Sequence, residues 1–237
     1  MLGPLLSLIA SSILMTPDAP AQAAPEVVAV ETDKGIIWTC VVDGVRLQTG
    51  DVLPEGYPPP TAPGMIEVKE MPAVRRAEVS GVGSARRGMS TSFNPLFRHI
   101  TSRGIAMTAP VEVDIREMST EDPEGEAFTA AFLYRSDDLG PTGDAENGVQ
   151  VVDLPAMTVV SIGIRGAYLS KHWSEPLAEL EAWLNSNSSD WRPVGDPRFC
   201  GYNAPFIPVW RMWSEIQIPI ERVDPDNATA ETVESES

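Results

Sequence analysis

The sequence predicts an α+β fold, a pseudo-symmetric tandem of two β-β-α-β-β units whose antiparallel strands curl toward a barrel-like sheet covered by two helices. Three observations carry this prediction. Amphipathic helix patterns occur twice, in "STSFNPLFRHIT" and "SEPLAELEAWLNS", each bracketed by short strand-like segments. An X-Pro break between neighbouring strands also recurs, as Met71-Pro72 in the first half and Leu154-Pro155 in the second. Finally, the order strand, strand, helix, strand, strand is run through once and then repeated.

The chain opens with "LLSLIASSILM", an apolar run of signal-peptide length, followed by Ala21-Gln22-Ala23, an A-x-A site. Residues 1–23 are therefore expected to be a signal peptide, and the mature protein to be exported, periplasmic or extracellular. The other reading of this run is an apolar tail. It is too short to cross a bilayer, which takes about 20 apolar residues, so no membrane span is expected. Residues 24–64 form an introductory region. There "GIIWTCVVDGVRLQTG" reads as a hairpin turning at Asp43-Gly44, and "LPEGYPPPTAPG" is a proline-rich extended connector.

The ordered body is expected over 65–222. "MIEVKEMPAVRRAEV" supplies two strands. In the first helix Phe93, Leu96, Phe97 and Ile100 fall at i, i+3, i+4 and i+7, and Pro95 suits a first turn starting near Thr91 to Asn94. "IAMTAPVEVDI" and "AFTAAFLYR" read as strands joined by the polar loop "REMSTEDPEGE". "VQVVDLPAMTVVSIGI" gives two more strands. The second helix takes Ser174 as N-cap, with Leu177, Leu180, Trp183 and Leu184 on its apolar stripe. "PRFCGYNAPF" and "WRMWSEIQIPI" close the second unit, and residues 223–237 read as an acidic disordered tail.

Composition narrows the function. With 34 acidic and 17 basic residues in 237, net charge −17, the chain would be repelled by duplex nucleic acid, and none is expected as a partner. Cys40 and Cys200 can pair if the protein is exported and are otherwise two buried thiols; no C-x-x-C or Cys/His spacing points to a metal. Only His99 and His172 are available as imidazoles, which leaves little room for nucleophile–base catalysis, and "GVGSARRG" lacks phosphate-loop spacing. On the helical wheel His99 points away from the apolar stripe and is expected in solvent, like His172 just ahead of the second helix; Met107 is expected in the core. A non-catalytic binding module with no metal ligands follows.

Five segments, in order, carry a family resemblance: "IEVKEMPAVRRAEVSG", "FNPLFRHI", "IAMTAPVEVDI", "VQVVDLPAMTVVSI" with Gly166, and "GYNAPFIPVWRMWSEIQIPI". Over about residues 64–221 the chain resembles the SOUL haem-binding protein family. The Met-Thr-Ala-Pro-Val run from Met107 to Val111 is the most specific element. The resemblance implies a distorted antiparallel barrel with two flanking helices, and non-covalent binding of haem or a related tetrapyrrole in an apolar pocket with basic residues near the propionates, for capture, buffering or transfer. The matching positions here are Phe93, Leu96, Phe97 and Arg98 on the first helix, and Ile207 and Val209 in the loop before the last strand. That loop departs from haem-binding members by being apolar, and Arg211 is its nearest positive charge. The alternative is a module for another apolar small molecule or a protein partner, since the architecture also resembles bacterial effector-binding domains that take up apolar cations and drugs.

Overall fold

The computed structural model describes residues 24–83, 85–117, 127–166 and 173–223, the side chains of 85–87 aside. The expected signal peptide, His172 and the acidic tail from residue 224 on lie outside the described residues, as does most of "REMSTEDPEGE". Strands β1 (Val27–Thr32), β2 (Gly35–Val42) and β3 (Val45–Gln48) form a small antiparallel sheet. The β2–β3 hairpin turns at Asp43 and Gly44, whose φ values of 50° and 74° both lie in the left-handed region. A two-residue turn of this hand matches the twist of the strands it joins.

The main sheet contains β4 (Ile66–Met71), β5 (Val74–Val82), β6 (Val111–Arg116), β7 (Ala127–Leu133), β8 (Gly143–Asp144), β9 (Gln150–Leu154), β10 (Met157–Arg165), β11 (Trp191–Pro193), β12 (Arg198–Gly201) and β13 (Trp213–Arg222). Its order is β4-β10-β13-β12-β6-β7-β5-β9-β8, with β11 pairing β13, and every pair is antiparallel. The expected barrel is not closed: β4 and β8 end the order and do not pair with each other, so the sheet is open. "IAMTAPVEVDI" is strand only from Val111; residues 105–110 run outside the ladder, with a cis Ala109–Pro110 peptide.

Helix α1 (Ala85–Ser102) starts six or more residues earlier than its sequence suggests, which puts Pro95 inside it. Gly88 looks like a breaker in the sequence, yet here it faces the Phe128 ring so closely that a Cβ would collide with it. Helix α2 (Ser174–Ser186) begins at Ser174 itself, after Trp173. Both helices cover one face of the sheet. Leu96 and Ile100 of α1 and Leu177, Leu180 and Leu184 of α2 join Val111, Val113, Phe132, Phe199, Ile216 and Ile218 in one core, with Trp173 stacked on Phe199 at 4.8 Å.

The opposite face is also buried. It is roofed by β2–β3 and by the proline-rich connector, whose Leu53, Tyr57 and Ala62 pack with Cys40, Leu47, Val159, Cys200 and Trp213. The two cysteines share this cluster as free buried thiols. Gly163 lets the connector lie down: a Cβ there would strike the Thr61 and Ala62 carbonyls, and Gly64 N–H donates to the Gly163 carbonyl at 2.9 Å.

Polar side chains on this face are bound into a network within it, Arg198 keeping one buried guanidinium nitrogen without a hydrogen-bond partner. Glu112, fully buried, accepts from the Tyr57 hydroxyl and lies 3.3 Å from Arg76 and 3.6 Å from Arg198. Arg76 also pairs with Glu78 and Asp114 at 2.8 and 2.7 Å. Arg198 Nε donates to Gln217 at 2.9 Å, and Gln217 donates to Glu215 at 2.5 Å. Glu215 is held by Lys69 at 2.8 Å and by the Thr61 backbone N–H, and Lys69 reaches the Pro59 carbonyl. Burial alone would raise both carboxyl pKa values; Arg198 and Arg76 around Glu112, and Lys69 beside Glu215, outweigh it and hold them below the usual range.

Candidate functional site

Where β6 and β12 meet, Val111 opposite Gly201, the sheet ends beneath α1 and leaves a cavity of about 630 Å³. Helix α1 contributes Met89, Phe93, Asn94 and Phe97, the segment before β6 contributes Met107, Thr108 and Ala109, and the chain after β12 contributes Tyr202 to Phe206. Gly50 and Asp51 complete the wall from the N-terminal region. Phe93 and Phe97 lie with rings near parallel, 10° apart and centroids 5.7 Å apart, and Phe93 is braced edge-on by Phe132 at 5.4 Å. Phe97 and Phe206 are 46% and 83% exposed, so the mouth is aromatic.

The walls are tied together by hydrogen bonds. Thr108 donates to the Leu133 carbonyl at 2.6 Å, and Ala109 N–H to the Val52 carbonyl at 2.9 Å. Gly50 N–H donates to the Tyr202 carbonyl at 2.8 Å, while Asn203 bonds the Gln48 carbonyl at 2.8 Å and accepts from Trp213 N–H at 2.7 Å. An apolar cavity with few fixed polar groups suits a small-molecule ligand. Asp51 is the only charged lining residue among those described; burial pushes its pKa up, and Lys34 partly counters this. No group of three or more His, Cys, Asp or Glu among the described residues could hold a metal ion.

The residues singled out in the sequence separate here. Phe93 and Phe97 line the cavity. Leu96 does not reach it, because at 0% exposure it is spent on the core between helix and sheet. Arg98 is exposed on the solvent side of α1. Ile207, Val209 and Arg211 are not among the lining residues: the loop offers Ala204, Pro205 and Phe206 instead, then turns through a 3₁₀ helix, Val209–Arg211. There the Arg211 guanidinium sits 5.9 Å from the Trp210 ring centroid. Met107 faces the cavity from a non-strand segment and packs against the core.

His99 corrects the expectation of a solvated residue. It is 5% exposed and bonds through Nε2 to the Tyr134 hydroxyl at 2.7 Å, away from the cavity lining. The wheel placed it off the apolar stripe but could not show that Tyr134, 35 positions later, supplies a polar partner on that side. Asp51 and Phe206 were not anticipated. Asp51 lies between the expected hairpin and the proline-rich connector, and Phe206 in a loop without periodicity.

Fold and cavity together describe a small α+β domain in which two helices cover an open antiparallel sheet and an apolar cavity lies beneath α1. Residues 59–219 match the family described as SOUL heme-binding protein, and the chain belongs to it. No curated protein matches the chain. Among solved structures it is similar to the EcmrR C-terminal domain, with a TM-score of 0.54 at 16% identity over 67% of this chain and 98% of that one. EcmrR in a DNA complex gives the same TM-score of 0.54 and 16% identity, over 67% of this chain and 58% of that chain. A hydrolase from Listeria innocua aligns at 0.49 and 12% identity over 68% of this chain and 93% of its own. At 16% identity the likeness to EcmrR is one of fold alone.

Proposed function

We propose that the cavity beneath α1 binds haem or a related tetrapyrrole non-covalently, for capture, buffering or transfer, without catalysing a reaction on it. The observation that carries this is the pair of near-parallel Phe93 and Phe97 rings walling an apolar cavity in a chain of the haem-binding family. Aromatic faces and methionines suit a flat macrocycle, and the volume lies within the usual range of about 300–1,000 Å³. Phe93, Phe97, Met107 and Phe206 would hold the ring system, and its iron would bring only its own redox and ligand-binding chemistry. With no cation in the lining, the propionates belong at the mouth, toward solvent and Arg98. Ile207, Val209 and Arg211, just past Phe206, would then touch only the outer edge.

The strand order supports a tandem repeat with the site at its seam. First-half strands β4, β5, β6 and β7 take places mirrored by β9, β10, β12 and β13, with β4 beside β10 and β9 beside β5.

Titrating the full chain with haemin tests the assignment: a saturable Soret shift near one equivalent is expected, weakened in Phe93→Ala and Phe206→Ala. A shift no different from that of an unrelated apolar protein would overturn it. A second reading is favoured by Asp51 alone: a lone carboxylate suits an uncharged or cationic apolar ligand. Haem dimethyl ester separates the two. If the esterified ring binds far more tightly than haem, the propionates are unwelcome and the second reading holds.

A further inference from the structure

A second cavity, of about 290 Å³, lies at the C-terminal end of α1 and shares no residue with the first. His99, Arg103, Tyr134, Thr142 and Asp144 supply its polar side chains, and Ile105, Leu139 and Val151 are among its apolar residues. The closing loop is pinned from outside: Arg75 donates to the Gly140 carbonyl at 2.5 Å while holding Asp153 with two bonds of 2.7 and 2.8 Å.

The His99–Tyr134 pair leaves one hydrogen over. Burial, and next to it the charge of Arg103, lower the His99 pKa, and burial raises that of Tyr134, so both are neutral near pH 7. A neutral imidazole carries one N–H and the phenol one O–H, and their 2.7 Å bond uses only one of the two. If Tyr134 donates to Nε2, Nδ1–H is left over; if Nε2–H donates, the Tyr134 O–H is left over. His99 Nδ1 is buried and has no partner. An orphaned buried donor is costly, and because His99 and Tyr134 both line the cavity, an acceptor bound there that draws the spare hydrogen onto the Tyr134 side of the pair would lower that cost. Arg103 adds a guanidinium whose hydrogen bonds are long, 3.4 Å to the His99 carbonyl and 3.3 Å to Ser102, and no described carboxylate pairs with it.

We infer that this cavity is a second ligand site, for a small monocarboxylate with an apolar body, its carboxylate between Arg103 and the His99–Tyr134 pair and its apolar part against Ile105, Leu139 and Val151. Charge and size set the class. The charged groups around the pair are Arg103 and Arg75, the latter already neutralised by Asp153, and the exposed Asp144 at the lining. Among the described lining residues Arg103 is the one cation and Asp144 the one anion, a balance that favours a single negative charge over a phosphate dianion. The volume equals that of about ten waters, too much for a single bridging molecule and enough for an aryl carboxylate.

Benzoate is the probe, titrated into the full chain without haem while the imidazole nitrogens are followed by 15N NMR, with His172→Gln identifying the His99 signals. The expected result is a saturable shift of the His99 nitrogens, with Arg103→Gln weakening benzoate at least about tenfold, as the loss of a charge-assisted bond should. Arg103 is exposed, so that substitution leaves the fold intact. Haemin saturation in a parallel sample should leave the benzoate affinity unchanged, which separates this site from the larger cavity. The inference is overturned if benzoate leaves the His99 nitrogens unmoved, if inorganic phosphate shifts them at equal concentration, or if Arg103→Gln binds benzoate as well as the parent.

Discussion

Glu112 shows what a single residue must satisfy on the roofed face. It is completely buried, and its charge is tolerable only because Arg76, Arg198 and Tyr57 converge on it. Removing one member of a buried ionic cluster strands the others, at a cost of about 3–5 kcal/mol. Glu112→Gln should lower stability by that order in urea unfolding, with the slope of the transition unchanged. The acid limb follows from the same groups. The folded pKa values of Glu112 and Glu215 lie below the unfolded carboxylate value, so the unfolded chain binds protons first as pH falls. Their contribution is full above about pH 4.3 and is lost progressively below it. Thermal melts from pH 6 down to pH 2 should show the midpoint falling only on the acid side, and a flat profile there would contradict the network. None of this was legible in the sequence. "VEVD", "VRRAEV" and "SEIQIPI" alternate apolar and charged residues as a sheet with one wet face would, and nothing local says that face is covered.

Helix α1 divides its work between adjacent residues. Leu96 points into the core, whereas Phe97 is about half exposed and walls the cavity. Leu96→Ala should cost about 2–5 kcal/mol of stability, while Phe97→Ala should change stability by no more than about 1 kcal/mol and weaken haemin uptake. Comparing denaturation curves with haemin titrations of both variants checks the division. The stripe Phe93, Leu96, Phe97, Ile100 was readable because its spacing is intrinsic to the helix. Its N-terminal start was not, since Pro95 suits a first turn near Thr91 to Asn94 and nothing local shows Gly88 packed against the Phe128 ring. The connector "LPEGYPPPTAPG" was legible as extended and proline-rich, but its packing was not. Its prolines suggest a linker, but it is a packed roof, and Gly163 is where it touches down. Gly163→Ala forces backbone apart and should destabilise by about 1–3 kcal/mol; a Tm equal to the parent's would show that the connector lifts freely.

At the scale of the whole molecule, the surplus of acidic residues suits solubility, and the N-terminal apolar run suits export. If the chain is exported, cleavage after Ala23 should leave Ala24 as the first residue of the secreted or periplasmic form. Terminal sequencing checks this, and intact Met1 on a cytosolic product would end the proposal. The strand order carries a further consequence. The last of the described strands, β13, lies between β10 and β12, and among the described strands it alone joins the β4–β10 pair to the rest of the ladder. A nascent chain that has not yet released Trp213 to Arg222 from the ribosome therefore cannot assemble a continuous sheet, however long it waits. Its apolar strands stay open to chaperones and proteases until that strand emerges, and a stop codon just ahead of Trp213 should yield a rapidly degraded fragment rather than a smaller folded protein.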